Sequence, residues 1–355
     1  MRVKLEDVCE RGSSNLKQSD VVGKRGDYPV FGAAGQIGCV DFYQQERPYV
    51  AVVKDGAGIG RTTLLPAYSS IIGTMQYLLP KDNILPEYLC YVVRHMHLEK
   101  YFSGATIPHI YFKDYKSEMF NLGTIEKQEE IVGILGQAER VILNRKQQLQ
   151  KLDELVKARF IEMFAKNDSA FNWPCQSISD VSTDMRTGPF GSALHHDEFV
   201  DSGIFVLGID NAVENKFSYN RMRYITEDKY QQLKRYTVHP GDVIITIMGT
   251  VGRSAVIPVD MPTAINTKHL ACITPDFTQV DPYFLSCAFQ IHPAIRSQLQ
   301  KQCKGAIMAG LNLTVIKELS FPIPPIRLQK QFVEFYTQVE KTKVSIHKAL
   351  DEAQL

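Results

Sequence analysis

The sequence says much the same thing twice, roughly 200 residues apart, and this repeat constrains the fold more than any other feature. Gly60-Arg61-Thr62-Thr63-Leu64-Leu65-Pro66 returns as Gly252-Arg253-Ser254-Ala255-Val256-Ile257-Pro258, and Ile125-Glu126-Lys127-Gln128-Glu129-Glu130-Ile131-Val132 returns as Ile326-Arg327-Leu328-Gln329-Lys330-Gln331-Phe332-Val333. The order is the same in both copies: a glycine-arginine turn, an apolar strand, a helical Tyr/Leu segment, Gly-Ala ahead of an amide-rich loop, then a long helix. Such a period is far longer than that of a solenoid unit, so each copy needs a core of its own. The 355 residues are enough for two such domains.

Residues 1–124 read as a mixed domain of short strands. Val30-Phe31, Tyr49-Val50-Ala51-Val52-Val53 and Met75-Gln76-Tyr77-Leu78-Leu79 are β-like runs set off by glycine turns. Tyr88, Leu89, Val92, His95 and Met96 recur at helical spacing and predict a helix over 87–101. The second domain, 166–325, follows the same plan, with strands at 243–247 and 255–257 and a helix over 282–299. Its front half differs strongly from the first copy, which predicts one scaffold carrying two recognition surfaces.

Between the domains, residues 125–165 carry the strongest local signal. No proline interrupts Ile125 to Phe164, and Leu135, Ile142, Leu149, Val156 and Met163 fall at seven-residue spacing, with Ile131, Ala138 and Leu152 at partner positions. Thr124 is placed to cap this helix, and Glu126, Glu129 and Glu130 suit the positive end of its dipole. The second long helix, 326–355, follows Pro324-Pro325 and carries Phe332, Tyr336, Val339, Ile346, Leu350 and Ala353. Arg145, Arg159 and Lys343 interrupt the two series. A stripe of this kind needs another long helix to cover it. The expectation is an antiparallel coiled coil between the two copies, with a domain at each end and a pseudo-two-fold relation; the alternative is an independent dimerisation coil.

Several function classes fall away. Every region stays within one charge of neutrality, so there is no broad basic surface to drive non-specific binding to nucleic acid. DNA binding would then rest on local clusters, with partners neutralising the remaining phosphates. The seven cysteines lie singly, without a Cys-x-x-Cys pair. The start lacks a signal-peptide core and no apolar run reaches membrane-spanning length, which predicts a cytoplasmic protein without a membrane partner. Gly56-Ala57-Gly58-Ile59-Gly60 runs into an extended segment where a nucleotide cradle requires a helix. His195-His196 and His95-x-His97 are isolated.

The order of these motifs, with Thr187-Gly188-Pro189-Phe190-Gly191-Ser192, Tyr236-Thr237-Val238-His239-Pro240-Gly241-Asp242 and Tyr28-Pro29-Val30-Phe31-Gly32-Ala33-Ala34-Gly35, resembles the specificity subunit of type I restriction-modification systems across essentially the whole chain. The resemblance implies an α+β protein: two mixed α/β target-recognition domains separated by two long helices. It implies a non-catalytic DNA-specificity subunit, each domain reading one half of a bipartite, asymmetric target on double-stranded DNA. The helices would set the spacing and dock two methyltransferase subunits, with S-adenosylmethionine bound on those partners and no cofactor on this chain. Nuclease/translocase subunits would complete the assembly. The second helix ends at Leu350-Asp351-Glu352-Ala353-Gln354-Leu355, whereas the first continues past its equivalent, which leaves open a silent or phase-variable specificity-gene product; a coiled-coil scaffold that binds only proteins is the reading from another class.

Polar and cationic residues of the variable loops are the candidates for DNA contact. In the first domain they are Tyr28, Gln36, Lys54, Arg61, Thr74 and Gln76; in the second, Arg186, Asn211, Lys216, Arg221, Arg223, Arg253, Asn266, Lys268 and His269. Arg pairs with guanine, and Asn or Gln with adenine. Arg61 and Arg253 recur in both copies, so a scaffold or phosphate role is favoured for them. For Phe190 and Tyr28 packing beneath a loop is the expectation, with stacking on DNA as the alternative.

Overall fold

The computed structural model describes residues 1–104, 108–165, 173–303 and 311–354. It divides into two compact units, Met1–Leu143 and Asn144–Leu355, so the division falls inside the long central helix Ile125–Phe164.

The first unit is built on an antiparallel four-stranded sheet in the order Cys9–Ser13, Met75–Pro80, Tyr49–Val53, Thr62–Leu65. Tyr49–Val53 is buried along its whole length, which is why it reads as a continuous apolar run and not an alternating one. The turn into Thr62–Leu65 requires Gly60. Its φ is +78°, and a Cβ there would lie 2.7 Å from the Glu99 nitrogen. A smaller sheet pairs Tyr28–Gly32 with Gly35–Val40 in antiparallel fashion and with Ser70–Ile71 in parallel. The strands Arg2–Lys4 and Met119–Asn121 close the unit. Helix Pro86–His95 buries Tyr88, Leu89, Cys90 and Val93. It is shorter than its periodicity predicts: His97 adopts φ +51°, and the chain re-enters as a short 3₁₀ turn, Leu98–Tyr101, that buries Leu98.

The second unit repeats this plan. Its four-stranded antiparallel sheet runs Ser182–Thr187, Leu270–Pro275, Val243–Thr246, Ser254–Val256, and Gly252 holds the corresponding turn at φ +80°. A smaller sheet again contains one parallel pair, Ile204–Leu207 with Ala264–Asn266. Cys175–Ser177 and Ser320–Pro322 take the closing role. The predicted single helix over 282–299 is two helices, Pro282–Ile291 and Pro293–Cys303. Pro293 lacks an amide hydrogen and pushes His292 out of the helical region, to φ −65° and ψ 123°.

The same glutamine fastens the long helix in each copy. Gln128 accepts from the Leu85 amide at 2.9 Å and donates to the carbonyls of Asn83 and Gly123. Gln329 accepts from the Asp281 amide at 2.9 Å and donates to the carbonyls of Gln279 and Pro324. Both are fully buried, so each side chain satisfies backbone groups at a helix start that water cannot reach.

Within the second unit the C-terminal half of the central helix packs antiparallel to the distal helix Ile326–Gln354. Phe160 and Phe164 meet Phe332 at ring distances of 5.2 and 5.7 Å, and further along Asp153 meets the Lys343 ammonium at 2.5 Å. The buried residues here are Val156, Phe160 and Phe164, one step off the predicted series at Met163, because the helix lays a 3.6-period face on a globular core instead of a strict seven-residue seam. Lys343 does not weaken the contact, since it joins Asp153 across the pair and Glu340 on its own helix. Among the described residues no helix is long and apolar enough to cross a membrane.

Candidate nucleic-acid interface

In the first unit Lys54 leaves the end of the fully buried strand. Its amide donates to the Thr74 carbonyl at 3.0 Å, and its own carbonyl accepts from Ile110. Lys54 and Gln76 line a cleft of about 400 Å³ with Arg11, His109, Tyr111 and Lys113, and Thr74 stands beside it through its bond to Lys54. Burial, followed by the Arg11 charge, holds the Lys54 ammonium below its ordinary pKa. Gln76 is buried and its amide donates to the Tyr115 hydroxyl, which fixes it.

The other candidates of this unit sit apart from that cleft. Gln36 is exposed on the Tyr28–Gly32/Gly35–Val40 hairpin. Tyr28 meets Tyr43 edge to face at 4.9 Å, and Tyr43 meets Tyr68 in the same way at 5.2 Å. Arg61 donates to the Ala33 carbonyl at 3.0 Å, tying the hairpin turn to the glycine-arginine turn.

In the second unit several candidates are spent internally. The Arg186 guanidinium donates to Asp242 at 2.7 Å, to the Thr237 carbonyl, to Thr274 and to Asp184, and its side chain is only 13% exposed. Asn211 is buried; it accepts from the Gly208 amide and donates to the carbonyls of Ser218 and Asn220. Asn266 is buried and donates to the Leu270 carbonyl at 3.2 Å, while its Oδ1 has no partner among the described residues. Lys216 reaches Glu340 of the distal helix at 3.4 Å.

The accessible candidates are fewer. Arg223 is braced by Asp210 at 2.6 Å, with Arg221, 76% exposed, at 3.9 Å from the same carboxylate. Lys268 and Arg253 are exposed, and His269 is half-buried. Burial, then the charges of Lys268 and Arg223, depress the His269 pKa, which places the imidazole in the electrostatic neighbourhood of both cations.

Sequence reasoning missed Arg11, His109, Tyr111 and Lys113, because they come from an edge strand and from a segment nearly 100 residues distant that only folding brings together. Phe190 does not pack beneath its loop; it is 60% exposed. Among the described residues no group of three or more His, Cys, Asp or Glu is arranged to hold a metal ion. The arrangement offers cations, amides and aromatic faces for binding.

A family model described as the type I restriction modification DNA specificity domain matches residues 1–154 and 197–353. Among curated proteins, the specificity subunit of the type I restriction enzyme EcoBI from Escherichia coli is 22% identical over 71% of this chain, and the match spans 57% of the relative's length. The MjaVIII specificity subunit from Methanocaldococcus jannaschii is 21% identical over 84% of the chain and 76% of the relative. Among solved structures, the S subunit of a type I restriction-modification system from M. genitalium aligns with a TM-score of 0.65 and 14% identity, covering 100% of this chain and 92% of that one.

Proposed function

Because the matched segments cover most of it, the chain belongs to the type I restriction modification DNA specificity domain family, and from that premise we propose that it is the DNA-specificity subunit of a type I restriction-modification complex. The observation that carries the reading is the repeated sheet: one strand order occurs in both units, yet the polar side chains around it differ. One scaffold with two sets of contacts is what a bipartite, asymmetric target requires. Each unit reads one half of the target, and the helices set the halves about one DNA turn, roughly 34 Å, apart.

The chain itself supplies binding and no chemistry. Two methyltransferase subunits bring S-adenosylmethionine, and nuclease/translocase subunits join that assembly. The near-neutral charge supports this division, since the partners neutralise most of the phosphates. Ile134 and Val141 lie one heptad apart on the central helix and are exposed, a surface suited to a partner helix. For base contact the reading favours Gln36 and Thr74 in the first unit and Arg221, Arg223, Lys268 and His269 in the second, while Gln76 is buried and held by Tyr115. Arg186, Asn211 and Asn266 instead shape the backbone that presents them, and Arg61 holds the hairpin.

The test is co-production with a methyltransferase subunit, followed by methylation-sensitive single-molecule sequencing of host DNA. We expect one bipartite methylated motif, with one half alone changing when residues 1–124 are exchanged for another first domain. A soluble, assembled complex that methylates nothing would sink the reading.

A further inference from the structure

We propose that the cleft of the first unit clamps one phosphodiester of the DNA between Arg11 and Lys54, and that the described residues of the second unit form no such clamp at the equivalent positions. The proposal rests on the DNA-specificity reading and gives one of its two surfaces a chemistry.

Four cations of the cleft, Arg11, Lys54, Lys113 and Lys116, differ in how they are balanced. Lys116 is paired with Glu6 at 2.7 Å, and the Lys113 ammonium lies over the Tyr111 ring, 5.3 Å from its centre. Asp55, next to Lys54 in sequence, is engaged with the His109 ring nitrogen. Arg11 and Lys54 have no carboxylate among the described residues within 4.0 Å, and the charge of Arg11 bears directly on the Lys54 ammonium. Two like charges at one cleft, the exposed Arg11 and the half-buried Lys54, disfavour each other without a counter-ion; a shared anion removes that cost and gains charge-assisted hydrogen bonds to both. A phosphodiester fits better than a base edge, because the buried amide at the cleft, Gln76, already donates to Tyr115.

The second unit sharpens the assignment. Val53 accepts from the Gly60 amide, and Lys54 is bonded to the Thr74 carbonyl and the Ile110 amide. In the same register Thr246 accepts from Gly252, and Ile247 is bonded to the His269 carbonyl and the Leu311 amide. Ile247 therefore takes the place of Lys54 and is buried in the core. By strand register Met185 opposes Ile273 as Arg11 opposes Leu78, and Ala271 opposes Thr187 as Gln76 opposes Ser13. Three polar positions of the cleft are thus apolar in the other copy, so the scaffold does not need them to fold.

The experiment uses the full chain assembled with its methyltransferase, titrated with a duplex carrying the methylated motif across about 50 to 200 mM salt. The variant is the double exchange Arg11→Gln and Lys54→Gln, checked for an unchanged melting temperature. The expected result is weaker binding, a salt slope reduced by about 0.9, the increment for one phosphate, and an unchanged methylation motif. An unchanged slope with an intact wild-type complex overturns the clamp and leaves the family reading standing. A change in the first half of the motif overturns it too, because the pair would then read bases. A parallel calorimetric titration with inorganic phosphate separates the sources. Saturable binding of the free ion that the double exchange abolishes, beside an unchanged DNA slope, makes the cleft a small-anion site and overturns the proposal. A wild-type complex with no sequence-specific binding at any salt overturns the specificity reading and the clamp together.

Discussion

The two units build the same sheet around opposite solutions at its centre. In the first, Tyr49 and Tyr77 meet edge to face at 4.9 Å, both buried, and the edge strand offers Gly12 opposite Tyr77 because a Cβ there would lie 3.2 Å from the tyrosine side chain. In the second, the same three places hold Asp242, Cys272 and Arg186, a small residue between the two members of an ion pair. Large aromatics against a glycine are exchanged for a long cation reaching over a cysteine. The volume is filled either way, so what the scaffold fixes is strand order and total packing, and the chemistry of the filler is free to differ. That freedom lets neighbouring loop residues diverge without loss of the fold.

The comparison can be broken hardest at the ion pair. Asp242 is 1% exposed and accepts from Arg186, from the Thr274 hydroxyl and from the His239 amide. Asp242→Ala leaves the guanidinium in a nearly closed site with only the exposed Asp184 carboxylate as its counter-charge and should cost about 3 kcal/mol. Trp173, the single tryptophan of the chain, packs on the core of the second unit and lies 6.2 Å from Phe164, so its fluorescence reports that unit. The urea midpoint read at Trp173 should fall sharply for Asp242→Ala and recover most of the loss in the double exchange Arg186→Met with Asp242→Leu. A second unit indifferent to Asp242→Ala would mean that the pair is ornamental and that the two centres are not alternatives.

This pair also marks the limit of what the sequence discloses. Strands such as Tyr49–Val53 and Val243–Thr246 and the central helix were legible, because burial on both faces and an unbroken helical run leave local signatures. Pro293 was equally visible and outweighs the apolar spacing around it. Gln128 and Gln329 showed as a repeat, yet their task of satisfying buried amides at two helix starts appears only when Leu85 and Asp281 are brought to them. Arg186 looked like a free cation for the same reason, since Asp242 lies 56 residues on and only the strand register makes them neighbours. The candidate sites of contact were the least legible: the proposed Arg11–Lys54 cleft is assembled from four separate segments, and exposure, which separates Lys268 from Asn266, has no local code.

A smaller test sits at Gly12. Its Cβ would crowd Tyr77, whose hydroxyl accepts from the Ile71 amide and donates to Gln44, so the ring has little room to retreat. Gly12→Ala should destabilise the first unit by about 1 kcal/mol, read from near-ultraviolet tyrosine circular dichroism in urea, and should leave the Trp173 midpoint alone. An unchanged or raised tyrosine midpoint would show that the glycine is incidental there, because the entropy gained by losing a glycine would have outweighed the crowding.

The smallest expected effect separates the two copies by pH. His269 stands at the register position that Thr74 holds in the first unit, each through a carbonyl that accepts from the residue leaving the central strand. Burial and the nearby charges of Lys268 and Arg223 lower the folded-state pKa of His269 below its ordinary 6.5. As pH falls through 6.5 the unfolded chain takes up the proton first, so the stabilisation is present above pH 6.5 and is lost as pH drops toward the folded pKa. The Trp173 urea midpoint should therefore slip slightly in mildly acid solution, and His269→Gln should flatten that slope, while the first unit has threonine at this place and carries its own depressed imidazole elsewhere, at His109, lowered by burial and then by the Lys54 charge. A bound phosphate beside His269 acts in the opposite direction, because it favours the imidazolium. DNA affinity should rise as pH falls over the same interval in which stability falls, and His269→Gln should remove both trends. Loss of the stability trend alone would place His269 away from the DNA and leave Lys268 and Arg223 as the cations of the second surface.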